Sequence, residues 1–211
     1  MTAKPTVHVV DDDAATRDAM QELFKSVAIS SRCYEDPSLF LQEIQPEHPG
    51  CIVLDLRMPG MSGLEVQVAL HEKCCNQPVI FITGHGKISA AVRAMHGGAV
   101  DFLTKPVDDE TLLKIVQEAI QQDNNQSLAH EEREKIITRL ASLTPREREV
   151  VEYVTRGLSN KEIARELDIS HKTVELHRAH MMDKMDAHSI AEVVQMYLLG
   201  SENQPDTLPS E

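Results

Sequence analysis

Cys-Ile-Val-Leu-Asp (51–55) is four apolar residues closed by a carboxylate. A short unbroken apolar run reads as a strand buried on both faces, which is the signature of a parallel sheet. The same punctuation recurs on either side. Thr-Val-His-Val-Val (6–10) ends in Asp11-Asp12, Val-Ile-Phe-Ile (79–82) in Thr83, and Val-Asp-Phe-Leu-Thr (100–104) in Lys105. Helix-length spacers separate these runs, with helices predicted at about 14–27, 37–45, 63–73, 87–97 and 108–121. Asp36-Pro37 gives the second of them an N-cap and a first-turn proline. Met-Pro-Gly-Met-Ser-Gly (58–63) is a loop after the third strand. Residues 1–122 therefore predict five βα units.

Five such units make a doubly wound, flavodoxin-like α/β domain with a five-stranded parallel sheet, and such sheets carry their chemistry at the carboxyl ends of the strands. Asp11, Asp12, Asp55, Thr83 and Lys105 all fall there. Three converging carboxylates repel one another unless a cation joins them, and Mg²⁺, which favours carboxylate and water oxygens, meets that need, with Mn²⁺ a possible substitute. Asp55, between Leu54 and Leu56, is the candidate nucleophile that would form an acyl phosphate. Asp11, Asp12 and Asp55 are the candidate metal ligands, completed by a backbone carbonyl just after Asp55, that of Arg57. Lys105 and the metal would neutralise phosphoryl oxygens, and Thr83 offers them a hydroxyl. Asp13 reads instead as an acid at a helix N-terminus.

Composition bounds the remaining options. No stretch approaches the roughly 20 apolar residues of a membrane span, and the N-terminus lacks a signal-peptide pattern. Cys33, Cys51, Cys74 and Cys75 follow no disulfide or zinc spacing, so the expectation is a cytoplasmic protein with reduced thiols and no membrane partner. Net charge is −13 over 211 residues, which argues against bulk attraction to nucleic acid. The charge is uneven: 1–122 carries net −7 and 142–200 only −2. Residues 123–141 are polar, without Gly or Pro, and predict a helical linker with a possible break at Asn124-Asn125. Residues 201–211, with two prolines, predict a disordered tail.

Val-Asp-Asp-Asp (10–13), Leu-Asp-Leu-Arg-Met-Pro-Gly-Met-Ser-Gly (54–63), Ile-Thr-Gly-His-Gly (82–86) and Phe-Leu-Thr-Lys-Pro (102–106) resemble the receiver domain of two-component response regulators over essentially all of 5–122. The resemblance implies phosphoryl transfer to Asp55 from a sensor histidine kinase, and a cis peptide between Lys105 and Pro106. It implies further that Phe102 is an aromatic switch residue moving inward with Thr83. Arg57 and His85 occupy the positions that tune dephosphorylation in receivers, and Arg57 is expected to prolong the phosphorylated state.

From 142 to 200 the pattern is all-helical. Thr144, Ser159 and Ser189 are each followed three residues later by Glu, the capping-box signature, and a fourth helix runs from about Ser170 to Met185. Four helices of 9–16 residues with tight turns predict a helix-turn-helix module. Leu-Thr-Pro-Arg-Glu-Arg-Glu-Val (143–150), Gly-Leu-Ser-Asn-Lys-Glu-Ile-Ala (157–164) and Leu-Asp-Ile-Ser-His-Lys-Thr-Val-Glu-Leu-His-Arg (167–178) resemble the LuxR/FixJ/NarL-type DNA-binding domain. That resemblance puts the helix from about 171 in the major groove. On a helical wheel Val174, Met181 and Met185 face the core, while Lys172, Leu176, Ala179 and Asp183 face away, flanked by Thr173, Glu175 and His180. Leu176 suits a thymine methyl and Glu175 a cytosine amine. Lys161, Lys172, Thr173 and His177 are phosphate candidates, and Ala179 and His180 complete the groove face. Arg178 lies nearer the core and is read as structural or backbone-contacting. Weak electrostatics favour binding as a dimer.

These readings converge on a transcriptional response regulator, not an enzyme beyond its own phosphorylation and slow autodephosphorylation. Its expected partners are a sensor histidine kinase, promoter DNA, RNA polymerase and, once phosphorylated, a second copy of itself. An aspartyl-phosphate phosphatase would need a general-acid carboxylate where Arg57 stands. A phosphorylation-independent regulator would not need the full set of five pocket residues.

Overall fold

The computed structural model of the chain describes residues 4–84 and 88–201. It divides into two compact units, Met1–Ser127 and Leu128–Glu211. In the first, β1 (Thr6–Val10), β2 (Ser30–Tyr34), β3 (Gly50–Asp55), β4 (Val79–Thr83) and β5 (Asp101–Thr104) form a parallel sheet in the order β2-β1-β3-β4-β5. They alternate with α1 (Ala14–Ser26), α2 (Pro37–Glu43), α3 (Gly63–Glu72), α4 (Ile88–His96) and the start of α5 (Asp109–Ala141). β3 is buried along its whole length, as its unbroken apolar run requires. One core cluster, around Phe40, Ile52, Leu54 and Phe81, lies on one face of the sheet; another, around Phe24, Val53, Ile80 and Val116, lies on the other. Cys51 is fully buried and its thiol is pushed up to about 12 by that burial.

α5 is one helix of 33 residues, and the break expected at Asn124-Asn125 is absent. Asparagine in a helix costs only a few tenths of a kcal/mol against neutral residues, and no Gly or Pro is nearby to interrupt the ladder. Within the first unit α5 is held at Asp123, whose buried carboxylate accepts the Gly50 amide at 2.8 Å. Gly50 must be glycine, because a Cβ there would sit 2.0 Å from the Thr6 carbonyl oxygen.

In the second unit α6 (Pro145–Thr155), α7 (Asn160–Glu166), α8 (His171–Met185) and α9 (Ile190–Ser201) enclose Val150, Val151, Ile163, Val174, Met181, Met185 and Val193. α6 and α7 open with full capping boxes, Thr144 with Glu147 and Ser159 with Glu162. α9 departs from that expectation. Ser189 caps the Glu192 amide at 3.2 Å, but the Glu192 carboxylate reaches back one residue further, to the His188 amide at 2.7 Å. α7, at seven residues, is shorter than the 9–16 expected. The predicted tail lies outside the described residues save for Ser201, which closes α9. No described helix is long and apolar enough to cross a membrane.

Candidate functional site

The order of the strands reverses direction between β1 and β3, where a doubly wound sheet opens a crevice at its carboxyl edge. Val10 pairs with Leu54, so the next residues on these strands, Asp11 and Asp55, arrive side by side at that crevice. Both are buried. The Lys105 ammonium bridges them, 2.6 Å from Asp11 Oδ2 and 3.1 Å from Asp55 Oδ1. Lys105 is placed by its own amide, which donates to the Thr83 carbonyl at 2.8 Å, and the Lys105-Pro106 peptide is cis. The remaining carboxylate oxygens accept backbone amides: Asp11 Oδ1 from Asp13 at 2.9 Å and Asp55 Oδ2 from Arg57 at 2.6 Å.

Burial pushes the Asp55 carboxyl above its ordinary range, against the Arg57 amide and Lys105, which pull it down; Asp11 adds to the rise. Burial would lower Lys105, but Asp11 and Asp55 outweigh it and raise the ammonium. Two carboxylates share one ammonium, leaving a net negative charge that a further cation would relieve. Asp12 is exposed, and it does not close a ready-made cage with the other two. Among the described residues no three His, Cys, Asp or Glu side chains stand close enough to hold a metal ion. The donors are nonetheless all hard oxygens with lone pairs to spare, which fits Mg²⁺, an ion that takes few carboxylates and keeps several waters.

Thr83 closes β4 with 1 % exposure, and Phe102 in β5 stacks on Phe81 at 6.2 Å, half-buried against the core. Arg57 is exposed beside Asp55, whereas His85 lies outside the described residues. Asp13 is the N-cap of α1, accepting from the Ala15 amide and the Thr16 hydroxyl. Gly63, at the first turn of α3, packs on the Asp55 backbone, where a Cβ would come 2.3 Å from the Asp55 carbonyl oxygen. Ser62 and Glu65 complete a capping box there that the sequence reading missed, although the Ser-x-x-Glu signal was present. Arg17 was missed as well. Its guanidinium donates to the Asp11 carbonyl at 2.8 Å, a main-chain contact that only its place one turn into α1 could have suggested.

In the second unit α8 buries Val174, Met181 and Met185 and leaves Leu176 54 % exposed, as the helical wheel requires. Lys161, Lys172, Glu175, Ala179 and His180 are exposed; Thr173 and His177 are half-buried. Thr173 also shares a hydrogen bond with Ser170, the N-cap of α8. Arg178 donates to Asn160 at the start of α7, 2.9 Å away, a structural contact that ties the two helices. Lys184 pairs with Glu147 at 2.7 Å, and His180 stands 4.0 Å from the same carboxylate, while His171 stands 3.5 Å from Glu175. Burial would raise Glu147, but Lys184 and the amide and hydroxyl of Thr144 prevail and hold it below the ordinary carboxylate range. Arg178 and Lys184 are thus engaged inside the unit, and Lys172, at the start of α8, is exposed.

Residues 7–117 match the family described as response regulator receiver domain, and residues 141–197 the bacterial regulatory proteins of the luxR family. The chain is 42% identical over 196 residues to the transcriptional regulatory protein FixJ of Bradyrhizobium diazoefficiens, covering 93% of this chain and 96% of that protein. It is also 42% identical over 194 residues to the response regulator protein TodT of Pseudomonas putida, covering 90% and 84%. Among solved structures it is similar to the response regulator StyR, with a TM-score of 0.86, 41% identity, and coverage of 93% and 99%. Full-length FixJ from B. japonicum gives a TM-score of 0.58, 39% identity, and coverage of 96% and 100%.

Proposed function

Because the chain belongs to the two-component transcriptional response regulators that join a receiver to a LuxR-type DNA-binding domain, we propose that Asp55 is its phosphoacceptor and that phosphorylation governs its hold on promoter DNA. A carboxylate oxygen of Asp55 attacks phosphorus of a kinase phosphohistidine, the N–P bond breaks, and the leaving imidazole nitrogen takes a proton from solvent. Asp11, Asp12, Asp55 and the Arg57 carbonyl would hold Mg²⁺, which supplies charge neutralisation to the transferred oxygens. Lys105 contributes a second positive charge from its place between Asp11 and Asp55. Thr83 offers the phosphoryl group a hydroxyl, and Phe102 follows it inward. Arg57 and His85 act on the return step, by controlling the approach of water.

The observation that carries this reading is the Lys105 ammonium set between Asp11 and Asp55 at the crevice of the sheet. In the second unit Lys161, Lys172, Thr173 and His177 meet phosphates, and Glu175, Leu176, Ala179 and His180 face the bases. Low charge on α8 supports binding as a dimer, and the reading as a whole implies RNA polymerase as a further partner and the cytoplasm as the place of action. Incubation with acetyl phosphate and Mg²⁺, followed by intact-mass measurement and promoter footprinting, tests the proposal. Wild type gains one phosphate and extends its footprint, whereas Asp55→Asn does neither. A wild-type mass that stays fixed beside a phosphorylated control receiver refutes it.

A further inference from the structure

Asp11 is held at every polar atom it has. Its amide donates to the Tyr34 carbonyl at 3.1 Å, its carboxylate takes Asp13 and Lys105, and its carbonyl takes Arg17. Asp12 is the opposite case: exposed, with no hydrogen bond or ion pair among the described residues. No partner fixes its rotamer, so the backbone is what decides where its Cα–Cβ bond leaves the chain. That backbone is the Asp11–Asp12 peptide, whose oxygen is the acceptor of the Arg17 guanidinium at 2.8 Å.

Arg17 is itself well fixed. Its side chain is 15 % exposed, and its second guanidinium nitrogen lies 3.4 Å from Glu35, which is 77 % exposed. Of the two contacts, the weak exposed ion pair is worth little, and the partly buried charged hydrogen bond to the carbonyl is the stronger. We propose that Arg17 is a positioning residue for the cation site: it fixes the peptide plane from which Asp12 emerges, and so aims Asp11 and Asp12 at one divalent ion. The inference rests on the pocket reading given under Proposed function. Arg17 does not touch the ion or the phosphoryl group; it acts through the loop that follows β1.

The test uses the full chain without a phosphodonor. Electron paramagnetic resonance reads free Mn²⁺ during titration of wild type, Arg17→Gln, Arg17→Lys and Glu35→Gln, each checked for folding by circular dichroism. Loss of an outer partner of this kind weakens metal binding about tenfold, so Arg17→Gln should bind Mn²⁺ about tenfold more weakly, Arg17→Lys should recover part of that, and Glu35→Gln should match wild type. With acetyl phosphate, the Mg²⁺ needed for half-maximal phosphorylation should rise in Arg17→Gln while the rate at saturating Mg²⁺ is retained. Equal Mn²⁺ binding by wild type and Arg17→Gln, or a lowered plateau with an unshifted midpoint, overturns the role of Arg17 and leaves the pocket reading intact. A wild type that takes up no Mn²⁺ overturns both.

Discussion

His8 makes the first unit sensitive to acid through its core. It stands on β1 with 6 % exposure, its ring stacked on Tyr34 at 5.9 Å and tilted against Phe40 at 5.8 Å. Its Nδ1 is buried with no hydrogen-bond partner among the described residues. Burial above all, with Arg32 and His48 adding like charge, lowers its pKa from 6.5 to about 4. Between those two values the unfolded chain binds a proton that the folded chain refuses. Stability is therefore full above the unfolded value and falls as pH drops through the window. At about 1.4 kcal/mol per unit, the lowering amounts to about 3 kcal/mol. His8→Phe keeps a ring against Tyr34 and Phe40 and removes the titration. Urea unfolding followed by far-UV circular dichroism should show the variant gaining on wild type by up to about 3 kcal/mol between neutral pH and about pH 4, since all other titratable groups are common to both. A constant difference across that range, or a His8 ring that titrates by NMR near its ordinary value, would refute the reasoning.

Three further outcomes follow from contacts described above. Glu147→Ala removes the carboxylate half of the α6 capping box and strands Lys184, and after allowance for the partial exposure of Lys184 it should cost about 2 kcal/mol in thermal unfolding of the second unit; an unchanged melting transition contradicts this. Leu176→Ala leaves the core untouched, so it should melt like wild type yet lose about 1 kcal/mol of promoter affinity by fluorescence anisotropy, chiefly at sites with a thymine in the half-site. Equal loss on thymine-free sites would exclude methyl contact. Gly63→Ala forces the start of α3 off the Asp55 carbonyl, with about 1–3 kcal/mol of destabilisation by denaturant and slower phosphorylation by acetyl phosphate; a variant as stable and as reactive as wild type shows that the loop yields freely.

The pocket was legible because each of its members closes a run that reads as a strand. A carboxylate after Cys-Ile-Val-Leu has one place to go in a parallel sheet, and the same logic fixed Asp11, Thr83 and Lys105. The α8 core stripe was legible for the matching helical reason, a period that puts Val174, Met181 and Met185 on one side. What escaped were side chains whose partners are main-chain atoms or lie far along the chain. Gln67 donates its amide to the Ala94 and Gly97 carbonyls, 27 and 30 residues away. Lys184 finds Glu147 across 37 residues, and Arg17 finds a carbonyl that every residue possesses. Asp12 shows the limit from the other side, since adjacency to Asp11 in sequence did not bring it into the bridged pair. Nor does any local rule mark where α5 should stop, because its polar middle holds no residue that ends a helix.

The bond between Asp123 and Gly50 bears on how the amino-terminal half could be produced alone. A gene truncated after codon 122 would delete that acceptor and leave a buried amide unsatisfied at the foot of the central strand, 73 positions upstream in the chain. A recombinant version carried through residue 127 would retain it, so the shorter product should be the one that precipitates or is clipped by protease.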